Sequence, residues 1–90
     1  MNSDPHDAES WLNLGDSLGI KGSRAKEAEE AYSAALEINP EEVRAWCRLG
    51  QLYEEQERYV DAEQAFEKAI AIKPDYRDAW SGLALSLIHI

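Results

Sequence analysis

Apolar and polar residues follow a helical period along much of this chain, most clearly in its middle. From Trp46, the residues Leu49, Gly50 and Tyr53 follow at i+3, i+4 and i+7, one stripe of a 3.6-residue helix. From Ala62, the residues Phe66, Ala69 and Ile70 follow at i+4, i+7 and i+8, a second stripe. Between them, Glu54 to Tyr59 is charged and keeps no apolar period, which predicts a turn. Pro74 ends the second helix, because proline lacks an amide donor and disfavours helical geometry in the residue before it. Large side chains (Trp46, Tyr53, Phe66) alternate with small ones (Gly50, Ala62, Ala69), so two antiparallel helices can approach closely and fill each other's gaps. The pattern predicts a helical hairpin.

The same frame recurs on both sides. Pro5, Pro40 and Pro74 each stand six residues before a tryptophan, and Trp11, Trp46 and Trp80 are 35 and 34 residues apart. Five helices are expected, over residues 6–20, 24–38, 41–56, 59–72 and from 75 onward. The first carries Trp11, Leu14, Gly15 and Leu18, the second Ala28, Tyr32, Ala35 and Leu36, and the fifth Trp80, Leu83, Ala84 and Leu87. Asp4–Pro5 reads as a cap followed by proline at the first helical position, and Asn39–Pro40 and Lys73–Pro74 repeat that stop-and-restart device. Residues 1–3 are expected to be disordered, and Ser23 is placed to cap the second helix. Leu18 to Ala28 is ten residues where Tyr53 to Ala62 is nine, so the first turn holds one residue more, an insertion that a surface turn absorbs at little cost.

These residues resemble the tetratricopeptide repeat (TPR), whose pattern is Trp-x2-Leu-Gly-x2-Tyr, then Ala-x3-Phe, then Pro, on a 34-residue period. The middle copy carries it as Trp46, Leu49, Gly50, Tyr53, Ala62, Phe66, Ala69 and Pro74, and the resemblance runs from about Pro5 to the end. It implies an all-α, right-handed superhelical stack of helical hairpins within one domain over residues 1–90. Repeat one spans about 5–39, repeat two about 40–73, and the first helix of a third about 74–90. Leu18 replaces the pattern's Tyr, Ala84 its Gly, and Glu57 stands where the family often has a turn glycine, which makes that turn less ideal. Leu83, Leu85, Leu87, Ile88 and Ile90 make the fifth helix apolar nearly all round, and such a helix belongs inside a core. The sequence therefore reads either as a piece of a longer array or as a chain that meets another subunit through this helix.

Composition narrows the function. Eighteen acidic against nine basic residues give a net charge of −9, which repels phosphate backbones and anionic lipids, so neither nucleic acid nor a membrane is expected as partner. No apolar run is long enough to span a bilayer, and the N-terminus is acidic and unlike a signal peptide, so a cytoplasmic protein is expected. Cys47 is the only cysteine and excludes an intrachain disulfide. His6 and His89 lie at opposite ends, no spacing matches a metal site, and no phosphate-cradling or nucleophile motif occurs. No cofactor and no metal are expected, and the chain reads as a non-enzyme. The aromatic residues fall on the packing stripes and name no ligand.

Candidate binding residues lie on the opposite side of the third helix. At roughly 100° per residue, Arg44, Arg48, Gln51 and Glu55 fall within about 60° of one another, opposite the Trp46 stripe. In TPR proteins the first helices of successive repeats line a concave groove that takes peptides. By position, that groove would be lined by Asn13 and Asp16, by Arg44, Cys47, Arg48 and Gln51, and by Ser81 and Leu85. Arg44 and Arg48 form a small cationic spot in an acidic chain. It suits a ligand carboxylate, or it serves to balance Glu41, Asp16 and Asp78. TPRs that clamp the C-terminal carboxylate of heat-shock chaperones use Lys and Asn in repeat one, Asn in repeat two, and Lys and Arg in repeat three. The matching positions here are Leu12 and Asp16, Arg48, and Asp78 and Gly82, so the resemblance does not extend to that clamp. The expected function is a protein-interaction scaffold or adaptor that binds a peptide or helix in the groove. The alternatives are self-assembly through the fifth helix, or a regulatory repeat of a larger protein.

Overall fold

Two local devices decide where the helices begin and end, and both occur twice. The computed structural model describes residues 8–19 and 24–89. Among them are five helices and no strand: α1 (Ala8–Gly19), α2 (Ala25–Ile38), α3 (Val43–Glu55), α4 (Tyr59–Ile72) and α5 (Arg77–His89). The cap expected at Asp4–Pro5 and the first turn with its Ser23 cap lie outside the described residues. Helices α3 and α5 begin two residues later than the expected starts at 41 and 75. Pro40 and Pro74 lie in turns three residues ahead of α3 and α5. The reason is the tryptophan six residues on. Trp46 Nε1 donates to the Pro40 carbonyl at 3.0 Å, and Trp80 Nε1 to the Pro74 carbonyl at 2.6 Å. Each indole thus ties the incoming chain to the helix it opens. The N–H groups of Glu42 and Tyr76 bond the carbonyls of Asn39 and Lys73 at 3.0 and 3.1 Å, tightening both turns.

The turn inside the second hairpin works differently. Glu57 holds φ 61°, in the left-handed region that favours glycine. Its N–H reaches the Glu54 carbonyl at 2.9 Å, and the Arg58 N–H reaches Tyr53 at 2.8 Å. These are the paired bonds of a Schellman ending, which satisfy the last carbonyls of α3. The backbone geometry is kept and a glutamate carries the strain.

Helices α1 and α2 form one hairpin and α3 and α4 a second, with α5 packed on α4 and α3. Close approach rests on bare backbone. A Cβ on Gly15 would lie 2.5 Å from the Tyr32 ring, and one on Gly50 would lie 2.6 Å from the Phe66 ring. One core joins Leu12, Tyr32, Ala35, Leu49 and Leu52, and the other joins Cys47, Phe66, Ala69 and Ala79. Helix α5 is not buried all round, as its apolar content implied. It inserts a face of small residues, Ala79, Gly82 and Ser86, and leaves Trp80, Leu85, Leu87 and Ile88 outward. Contacts run from α1 to α3 and from α3 to α5, whereas no helix–helix contact links α2 to α4. The stack therefore bends with α1, α3 and α5 on its inner side.

Candidate peptide-binding face

Helices α1, α3 and α5 carry the residues that the sequence assigns to the groove. Asn13, Arg44 and Ser81 are exposed, Gln51 is half-buried, and Leu85 is 52% exposed. Cys47 does not belong with them. It is fully buried beneath α5, in the core with Phe66 and Ala79. Burial raises its thiol to about 11, and the charge of Asp78 adds to the shift. The family's groove positions include Cys47 by correspondence, but here α5 packs against that edge of α3 and buries it.

Both arginines are engaged. Arg44 Nε donates to Glu42 at 2.9 Å, not to Glu41, because Glu42 ends the turn beside the first residues of α3. That bond raises the Arg44 pKa, and the charges of Glu42, Glu9 and Tyr76 add to it. Arg48 Nε donates to Asp16 at 2.9 Å, linking α3 to α1. The same Asp16 oxygen accepts the Tyr32 hydroxyl at 2.6 Å. Burial, then the hydrogen bond to Asp16, holds the Tyr32 phenol above its ordinary range. Asp16 is thus a junction between α1, α2 and α3. Charge reversal at Arg48 breaks that junction.

Five contacts had little signal in the sequence. The Tyr32–Asp16 bond spans sixteen positions, and its only trace is Tyr where the second hairpin has Phe66. Ser86, fully buried, donates to Glu54 at 2.8 Å and joins α5 to α3. On the outer side, Tyr53 donates to Glu29 at 3.2 Å, while Arg58 pairs with Asp61 at 2.8 Å and lies 4.5 Å from the Tyr53 ring centre. Clefts also occur on that outer side, one of about 470 Å³ along α2 between Lys26 and Glu37 and one of about 380 Å³ between α2 and α3 at Leu36, Trp46 and Tyr53. Among the described residues, no cluster of His, Cys, Asp and Glu is placed to hold a metal ion, and no helix is long and apolar enough to cross a membrane.

Two family models of the tetratricopeptide repeat match the chain, one over residues 8–42 and one over 43–76. No curated protein matches it. Among solved structures, two of MamA are similar. One has a TM-score of 0.86 at 28% identity, over 96% of this chain and 46% of that chain. The other has a TM-score of 0.85 at 28% identity, over 94% and 49%. The Arabidopsis OM64 TPR domain has a TM-score of 0.87 at 24% identity, over 97% and 71%, a likeness of fold alone. The chain spans about half the length of the MamA chains that it matches.

Proposed function

The chain belongs to the tetratricopeptide repeat family, and on that premise we propose that it holds a peptide or helix of another protein against the inner face of α1, α3 and α5. Tetratricopeptide repeats are protein-interaction scaffolds, and the chain is one in this general sense. The observation that carries the finer reading is the division of α3. Its Leu49 and Gly50 side is buried in packing, while Arg44 on the same helix is exposed, as are Asn13 of α1 and Ser81 and Leu85 of α5. A ligand lying across three helices meets polar groups that set its register and one apolar contact at Leu85.

The energetics favour a particular ligand. Arg44 and Arg48 already hold carboxylates, so an acidic ligand group exchanges one ion pair for another, and exposed pairs contribute about 0–1 kcal/mol each. The arginines therefore select more than they bind. Leu85 supplies affinity, and the Asp16 charge confines acidic ligand groups to the Arg44 end. The test is selection from a peptide library, followed by titration against two variants. Leu85→Asp is expected to weaken the selected peptides by about tenfold or more. Arg44→Glu is expected to weaken acidic ones a few-fold, in a salt-sensitive way. Selection of basic peptides, or affinities that neither variant changes, would sink the reading.

A second reading makes α5 an association surface. Trp80 and Leu87 are each about half exposed, at 51% and 52%, and Ile88 is 76% exposed, which favours it.

A further inference from the structure

On the outer side of the stack, where α2 and α4 make no contact, α3 floors a groove between them. The clefts there run into one another through shared residues. The cleft of about 470 Å³ along α2 shares Ser33 and Glu37 with the one of about 380 Å³, which continues over Leu36 to Trp46, Leu49 and Tyr53. A further cleft of about 250 Å³ shares Trp46 and Tyr53 with the second and ends on Gln64 and Lys68 of α4. The floor is apolar and reachable, since Leu36, Trp46 and Tyr53 are only half-buried. Both walls belong to hairpins already stacked on each other. A further hairpin added at either end of such a stack leaves this groove open.

The two walls differ in charge. On the α4 side the cations are engaged. Arg58 pairs with Asp61 at 2.8 Å and reaches across to Glu29 of α2 at 3.5 Å, and Lys68 lies 5.9 Å from the centre of the Trp46 ring. On the α2 side Lys26 stands against Glu29, Glu30 and Glu37. Glu30 and Glu37 are exposed, and among the described residues neither takes part in an ion pair. Glu37 lines the α2 cleft and the aromatic one alike, so an unpaired carboxylate stands beside two rings. A cation is attracted by both, and the long stem of an arginine or lysine covers apolar floor while its head stays at the wall.

From this we infer that the outer groove docks a basic segment of another protein, in which arginine or lysine alternates with apolar residues. The apolar side chains and the cationic stems lie on Leu36, Trp46 and Tyr53, and the charges face Glu37 and Glu30. The inference goes beyond the inner face, whose free charge is the opposite one. A second copy of this chain suits the groove poorly, because it carries a net charge of −9 toward an acidic wall.

The test uses the full chain and three labelled peptides, one of alternating leucine and arginine, one with glutamine for arginine, and one with serine for leucine. Binding is read from fluorescence anisotropy. The leucine–arginine peptide is expected to bind about tenfold or more tightly than either of the others. Glu30→Lys with Glu37→Lys is expected to weaken it about threefold to tenfold, and less so at high salt, with helical content unchanged. Glu41→Lys with Asp75→Lys makes the same change in net charge on exposed turn residues away from the groove, and it is expected to have little effect. Equal losses in the two double variants would reduce the binding to general charge attraction and overturn the site. Loss in Leu85→Asp alone would move the peptide to the inner face, which overturns the outer groove and leaves the proposed function standing. Dimerisation of the chain that Glu30→Lys with Glu37→Lys abolishes would make a second copy the occupant. Loss of peptide binding when further sequence adjoins this chain on one polypeptide would make that sequence the occupant. Either result overturns the assignment to another protein.

Discussion

The seams that join successive hairpins use one backbone frame and two chemistries. In the first seam the aromatic of the covering helix is Tyr32. Its hydroxyl bonds Asp16, which also accepts from Arg48 of the next hairpin. In the second, the matching residues are Phe66, Gln51 and Gly82. Phe66 lies between two glycines, and a Cβ on Gly82 would meet its ring even more closely than one on Gly50. Polarity has moved along the seam and has not vanished. Leu52 is buried in the first seam, and its counterpart Ser86 is buried in the second, where it donates to Glu54. Each seam thus carries one polar link between neighbouring inner helices, central in the first and nearer the helix ends in the second. A residue on α3 or α5 therefore makes sense only beside its partner on the preceding hairpin. Arg48 is a seam residue first and a candidate ligand contact second.

The two seams should break differently. Phe66 is fully buried with glycines on two sides, and nothing nearby is positioned to fill its place. Phe66→Ala is expected to cost about 3–5 kcal/mol, a large share of the roughly 5–15 kcal/mol available to a small domain. Urea unfolding monitored by circular dichroism checks this. A loss well under 2 kcal/mol would mean that the glycine-lined slot collapses, and the contrast with the first seam would then be one of residue names only.

How far this was legible in the sequence depends on the range of the contacts. The Gly50–Phe66 meeting inside one hairpin follows from period and residue size, since both lie on stripes that must face each other. The glycine-like conformation of Glu57 is legible only through the family resemblance, which places a turn glycine there. The Pro–Trp spacing was visible but not its purpose, because a hydrogen bond from an indole to a carbonyl leaves no trace in apolar periodicity. Contacts between hairpins were the least legible. The Asp16, Tyr32 and Arg48 groups come together only once two hairpins are stacked, and burial of Cys47 depends on where α5 lands. Family positions list groove residues but not the contacts that bury or engage them, as with Cys47 and Arg48.

Transplanting one seam onto the other gives a smaller and sharper effect. Gly82→Arg alone places a long side chain against the Phe66 ring and is expected to cost about 1–3 kcal/mol through overpacking. Adding Gln51→Asp and Phe66→Tyr rebuilds the polar junction of the first seam in the second. The triple variant is expected to recover about 1 kcal/mol, the scale of a hydrogen bond to a charged partner. Thermal denaturation of the single and triple variants side by side decides it. Purely additive losses would show that the two chemistries are not exchangeable on this frame.

A third contrast separates the seams by pH. Cys47, in the core of the second seam, has its thiol raised by burial to about 11 from an ordinary value of 9.0. Tyr32, in the first, is raised from 10.0 by burial and by Asp16. A thiol or phenol whose pKa is higher folded than unfolded stabilises the fold while it stays protonated. That stabilisation is complete below the unfolded pKa and disappears as the pH rises toward the folded one. The second seam should therefore weaken first, between about pH 9 and about pH 11. The first follows only above about pH 10, where an unfolded tyrosine begins to ionise. Urea midpoints measured from about pH 8 to about pH 10.5, below the full titration of lysine, report both. In Cys47→Ala the decline that begins near pH 9 should disappear and leave a later onset. In Tyr32→Phe stability should fall by about 0.5–1.5 kcal/mol at neutral pH, with the hydroxyl lost, while the early decline persists. An unchanged onset in Cys47→Ala would mean that the thiol ionises in the folded protein without strain, and the seams would then differ in contacts but not in their response to pH.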